Sequence, residues 1–145
     1  PFTRKSLKEI GQKDKTLTWF FSGQITHERR EMMAEKLKQV EGGMFIPTRG
    51  FAQGIDNAEY LKCLSLSKFA PAPPGPICQD SFRLYEALEA GCIPIVDEYS
   101  ANVKGTLGYW QRLFPDAPFP VVESWDELLF LKPWTQEYAN KVFAW

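Results

Sequence analysis

The sequence predicts an α/β fold, doubly wound, with a mostly parallel sheet of about five strands and helices on both faces, the Rossmann-like arrangement. Apolar runs of strand length alternate along the chain with segments of helical period, as they must where a parallel sheet is covered on both faces. The chain has 145 residues, enough for one domain with a sizeable core. Its apolar fraction of 44% and charged fraction of 24% are those of an ordinary globular protein.

Leu17 to Phe21 reads as the first strand, ending in the turn Ser22-Gly23-Gln24. Thr26 is placed to cap a helix that buries Met32, Met33, Leu37 and Val40, and Gly42-Gly43 stops it. Met44 to Pro47 is a second strand and Arg49 to Asp56 a glycine-containing loop. Asn57 is the expected cap of a helix turning Tyr60, Leu61 and Leu64 inward, before a short third strand, Phe69 to Pro71. The proline-rich loop Pro71 to Gln79 leads to Asp80 as an N-cap, a helix from Ser81 to Ala90, and Gly91 as its left-handed stop. Cys92 to Val96 is the next strand. Pro94 inside it argues for a sheet edge or a strand start, unless its missing donor faces a bulge, because proline lacks a ladder donor. Pro120 to Val122 is a fifth strand. Ser124 with Glu127 forms a capping box opening a helix to Leu131, and Pro133 and Thr135 begin a last helix. Residues 101–117 give no clear reading.

Composition excludes several functions. The net charge is -1 with acids and bases interspersed, so no broad basic face exists for nucleic acid. No run of about 20 apolar residues is present, so no membrane span is expected. Cys63, Cys78 and Cys92 are odd in number and lack a C-x-x-C pair, and His27 is the lone histidine, so neither a disulfide framework nor a metal site is expected. Three reduced, mostly buried thiols slightly favour a cytoplasmic setting. The chain opens on Pro1, with Arg4, Lys5 and Lys8 leading into polar sequence, and ends on the apolar Val142, Phe143 and Trp145. Both ends read as cuts from a longer chain.

Ligands of open α/β sheets bind beyond the carboxyl ends of the strands, which directs attention to four loops. Gly23, beside Ser22, lets backbone approach a ligand, Arg49 offers a guanidinium, and Pro73-Pro74-Gly75 leads into a helix start. Free N–H groups at Ser81 and Phe82, the helix dipole and Arg83 make an anion site that would suit a diphosphate. Glu86, one turn on, can accept hydrogen bonds from the vicinal diol of a ribose. On spacing alone, Arg83 and Glu86 read sooner as a surface ion pair at i, i+3.

The string Ser67-Lys68-Phe69, then Pro74-Gly75, then Ser81-Phe82-Arg83-Leu84-Tyr85-Glu86-Ala87-Leu88-Glu89-Ala90-Gly91-Cys92-Ile93-Pro94-Ile95-Val96 resembles the exostosin-type glycosyltransferases. The likeness extends to Phe20-Phe21-Ser22-Gly23 and Tyr60, and more weakly to Phe119-Pro120 and Trp125. It implies the C-terminal, nucleotide-sugar-binding half of a GT-B enzyme, one Rossmann-like domain over residues 1–145, with the N-terminal acceptor domain missing. The resemblance implies that Glu86 holds the ribose, that Arg83 and the N–H groups around Ser81 hold the diphosphate, and that Gly23 lets the first loop near the phosphates. The donor is then a nucleoside-diphosphate sugar and the acceptor a glycan or other hydroxyl, with no cofactor and no bound metal. Asp97-Glu98 makes no D-x-D pair. Many retaining enzymes of that architecture carry a second glutamate where this sequence has Cys78, so an inverting transferase is implied, with its catalytic base on the missing domain. A eukaryotic member would work in the Golgi lumen.

His27 is a candidate phosphate contact or a structural first-turn residue. Asp97 and Glu98 could face sugar hydroxyls or stand as solvated turn residues. A rival reading is a non-catalytic nucleotide- or glycan-binding module. A receiver or flavin binder is disfavoured, since no acidic cluster follows the first strand and no G-x-G-x-x-G is present. Trp110, Trp134 and Trp145 are candidates for an exposed interaction surface.

Overall fold

The structure, a computed structural model, describes residues 15–49, 54–76, 82–99 and 108–145. Five strands form one all-parallel sheet: β1 (Leu17–Gly23), β2 (Met44–Pro47), β3 (Ser67–Ala72), β4 (Ile93–Asp97) and β5 (Val121–Val122), in the order β2-β1-β3-β4-β5. Between and after them lie α1 (Glu28–Leu37), α2 (Asn57–Ser65), α3 (Phe82–Glu89), α4 (Tyr109–Leu113), a 3₁₀ helix (Trp125–Phe130) and α5 (Gln136–Ala144).

The order reverses direction once, at β1, which is why helices cover both faces. Neighbouring side chains at the centres of β1 and β3 feed opposite cores. Trp19, Phe21, Phe69 and Ile95 pack with Met33 and Leu37 of α1, Leu128 of the 3₁₀ helix, and Ala139 and Val142 of α5. Phe20, Ala70 and Cys92 pack with Leu61 and Leu64 of α2 and Ala87 and Ala90 of α3. The Cys92 thiol donates to the Leu64 and Ser67 carbonyls, and burial pushes it up to about 12. Cys63 is a half-buried free thiol, and Cys78 lies outside the described residues.

Several local expectations shift. The N-cap of α1 is His27, not Thr26, and its ring makes no capping bond. Met33 and Leu37 are buried, whereas Met32 is exposed. Asp56, not Asn57, caps α2 by accepting from the Glu59 N–H. Asp80 lies outside the described residues. Gly91 does stop α3, at φ 77°, and Thr135 caps α5 through the Tyr138 N–H.

Pro94 sits in an interior strand, between β3 and β5, so the sheet-edge alternative does not hold. Its missing donor is explained by register. Val96 N–H bonds the Pro120 carbonyl on the β5 side. Pro94, two residues earlier, turns its nitrogen to that same side at a level where β5 has not begun.

The Ser124–Glu127 capping box is present, but the helix it opens is 3₁₀ and ends at Phe130. Trp110 is buried in the core, not exposed, Trp134 is half-buried, and Trp145 is 49% exposed.

Candidate functional site

At the carboxyl end of the sheet, Gly23 closes β1 directly beneath the Arg83 guanidinium. A Cβ on Gly23 would stand 2.3 Å from Arg83 Nη2 and 3.1 Å from Phe21 Cζ. Arg83 stands over the Phe21 ring, its Cζ 4.8 Å from the centroid. Glycine therefore leaves the guanidinium its seat, which a larger residue would displace, and the aromatic face holds the guanidinium without consuming its charge.

A second guanidinium lies near enough to feel the charge of Arg83. Arg30 of α1 is 7% exposed, and its Nε donates to the Pro74 carbonyl at 3.0 Å and its Nη1 to the Gln24 carbonyl at 2.8 Å. His27 Nε2 donates to the same Pro74 oxygen at 2.9 Å. Because a carbonyl only accepts, this fixes the histidine tautomer, and His27 acts here as a strap between α1 and the proline-rich loop. Arg30 thus ties the loop after β1 to the loop after β3. Burial, and next the charge of Arg83, lower its pKa to about 10. Among the described residues neither Arg30 nor Arg83 forms an ion pair. Two partly desolvated cations without a carboxylate partner are an arrangement that an anion stabilises.

Arg83 and Glu86 do not pair with each other either. The Glu86 carboxylate instead accepts from the Tyr60 hydroxyl of α2, at 2.9 Å on Oε2. Burial, and next the Glu86 charge, push the Tyr60 phenol up. The i, i+3 ion pair that spacing allowed is absent, and each member of the pair is oriented by an aromatic residue from another element.

The other predicted residues divide. Ser22 is buried at the end of β1, Gly75 is half-buried in the loop after β3, and Phe82 begins α3 with 84% of its surface exposed. Arg49 is exposed after β2, where the Thr48 N–H bonds the Gly23 carbonyl. Ser81 lies outside the described residues.

Asp97 and Glu98 form a separate cluster, and both are buried, not solvated turn residues. Asp97 accepts from Arg29 Nε at 2.8 Å and Nη2 at 2.6 Å, from Trp125 Nε1 at 2.9 Å and from the Tyr99 N–H at 2.9 Å. That carboxylate joins β4, α1 and the 3₁₀ helix. Burial pushes the Glu98 carboxyl above the usual carboxylate range, against the backbone N–H groups of Gln111, Gly108 and Trp110, which pull it down. Among the described residues no cluster of His, Cys, Asp and Glu side chains is placed to hold a metal ion.

Arg30 and Tyr60 hold positions at the candidate site that sequence reasoning did not give them. The available signal for Arg30 was the doublet Arg29-Arg30 one turn past the Ser22-Gly23 loop. The signal for Tyr60 was a phenol on an otherwise aliphatic inward face, since buried phenols seek partners.

Fold and site together define a doubly wound α/β domain whose carboxyl-end loops converge on a pair of guanidiniums, an architecture suited to an anionic ligand. Neither protein-family models nor curated proteins give a match to this chain.

Proposed function

We propose that this chain is the donor-binding domain of a glycosyltransferase, holding a nucleoside-diphosphate sugar at the carboxyl end of its sheet for transfer to a glycan or other hydroxyl acceptor. The observation that carries the reading is the Arg83 guanidinium over Gly23 with Arg30 on the neighbouring Gln24 and Pro74 carbonyls, neither of them in an ion pair among the described residues. On this reading the guanidiniums take the diphosphate, stabilise its charge as the glycosidic bond breaks, and do so by preorganisation. Glu86, oriented by Tyr60, takes the ribose diol, and exposed Phe82 at the start of α3 offers a face for the base or sugar.

The exostosin-like string supports the same assignment, because its Arg83 and Glu86 are the residues that the geometry orients. An acceptor-binding domain of similar architecture would supply the base that deprotonates the acceptor hydroxyl. The transfer is proposed as inverting and metal-independent. Asp97 has no part in it, since its oxygens already receive four donors from the fold.

Calorimetric titration of the full chain with UDP, GDP and ADP, with and without magnesium, tests this. Saturable binding of one diphosphate without metal is expected, weakened about ten- to hundredfold in Arg83→Ala, the effect of losing a bidentate charged contact. Absence of binding to all three, or binding indifferent to Arg83→Ala, refutes the donor site.

A further inference from the structure

A cavity of about 320 Å³ opens on the α1 face of the sheet, lined by β1, β3 and the segment after the 3₁₀ helix. It lies away from the carboxyl-end site, near Thr18 and Lys68 in the first halves of their strands. Its volume is at the lower end of the roughly 300 to 1,000 Å³ typical of small-molecule sites.

The walls are apolar and preformed. Trp19, Phe69 and Ile95 supply the sheet side. The Trp19 ring is fixed by its Nε1 bond to the Val40 carbonyl, at 2.7 Å, and by Gly43, whose Cβ would overlap the indole. The ring therefore cannot turn to fill the space.

The charged groups on the lining are cations, Lys68 and Lys132, and no carboxylate joins them there. Lys68 Nζ stands 5.8 Å from the Trp134 ring centroid and Lys132 Nζ 4.8 Å from that of Tyr138. Neither lysine forms an ion pair among the described residues. Lys68 rests on Trp134, a ring of the lining, while Lys132, itself a lining residue, rests on Tyr138, which is not, so the lining carries two positive charges that the fold leaves unneutralised.

We infer that this cavity is a second binding site, for an amphipathic organic carboxylate whose hydrocarbon or aryl body lies against Trp19 and Phe69 and whose head group meets Lys68 and Lys132. A neutral ligand of the same shape gains the apolar contact alone, and a cationic one is repelled.

Decanoate, kept monomeric, is the probe, with decanol and decyltrimethylammonium as its neutral and cationic counterparts. The indole N–H resonances of Trp19 and Trp134 are followed by NMR on the full chain. Saturable shifts are expected, with decanoate binding at least about tenfold more tightly than decanol, the effect of one charge-assisted contact. The double variant Lys68→Met/Lys132→Met should erase that preference and leave decanol binding unchanged, its fold checked by circular dichroism. Arg83→Ala should leave decanoate binding intact, which separates this site from the proposed donor site. Failure of decanoate to shift either indole, equal affinity for decanol, or a preference that survives in the double variant overturns the inference.

Discussion

Gly23 and Arg83 form a contact whose two sides respond differently to substitution. In Gly23→Ala the new methyl meets the far end of a flexible side chain at 2.3 Å, and the Phe21 ring at 3.1 Å must give only slightly. The stability cost should be about 1 kcal/mol or less, read by chemical denaturation. Arg83, however, must leave its seat on Phe21, so diphosphate affinity should fall about tenfold if the guanidinium positions the ligand. Equal affinity in wild type and variant would remove Arg83 from the site. Glu86 requires a different choice of variant. Truncation to alanine strips Tyr60 of its acceptor, and an unpaired, partly buried hydroxyl costs about 1 to 3 kcal/mol. Glu86→Gln keeps an oxygen for Tyr60 and removes the charge, so its unfolding midpoint should match wild type while nucleotide affinity drops about tenfold. A midpoint that drops as far as in Glu86→Ala would mean that Glu86 serves the fold alone. The placement of the candidate residues was legible where it follows the local string, as with Arg83 and Glu86 on one helix. It was illegible for Arg30, whose importance comes from burial and from carbonyls of two distant loops.

Elements declared themselves in the sequence when their determinants were local. β2 and the stop at Gly91 fell where apolar runs and glycine place them, and Ser124 with Glu127 marked a helix start. The α1 and α2 caps shifted by one residue because Thr26-His27 and Asp56-Asn57 each offer neighbouring polar candidates. The helix α4 is a different case. Its N-cap is Gly108 at φ 94°, which carries no capping side chain. The carboxylate at that end is Glu98, brought there by the end of β4. A helix start stabilised from a distant strand leaves no local signature, which is why residues 108–117 gave no clear reading; residues 101–107 lie outside the described residues. The end of β4 is also where elements are joined most directly. Asp97→Ala removes the shared acceptor of Arg29 and the buried Trp125 indole, and should cost about 3 to 5 kcal/mol. A denaturation midpoint close to wild type would show that the three elements hold together without it.

For the molecule as a whole, Glu98 links stability to pH. Its carboxyl is raised by burial above the ordinary 4.5. A carboxyl raised on folding contributes stability that is fully present below the unfolded value and is lost as pH rises through the folded one. Glu98→Gln holds the neutral form at every pH and keeps an acceptor for the α4 backbone. Relative to wild type, the variant should therefore gain in melting temperature between acid and neutral pH, and parallel pH curves would contradict the assignment. The doubly wound architecture was legible because both signals, strand-length apolar runs and helical period, persist along the chain. Strand order and the doubly committed Pro74 carbonyl were not, since both arise from long-range packing. No helix among the described residues is long and apolar enough to cross a membrane. The same strand order places β2 and β5, of four and two residues, at the two borders of the sheet. Each border exposes only a brief row of unpaired peptide groups, and β2 ends on Pro47, which has no amide hydrogen to offer. Among the described residues, another chain therefore finds little strand backbone to zip onto at either border, the arrangement by which natural sheets limit edge-to-edge aggregation.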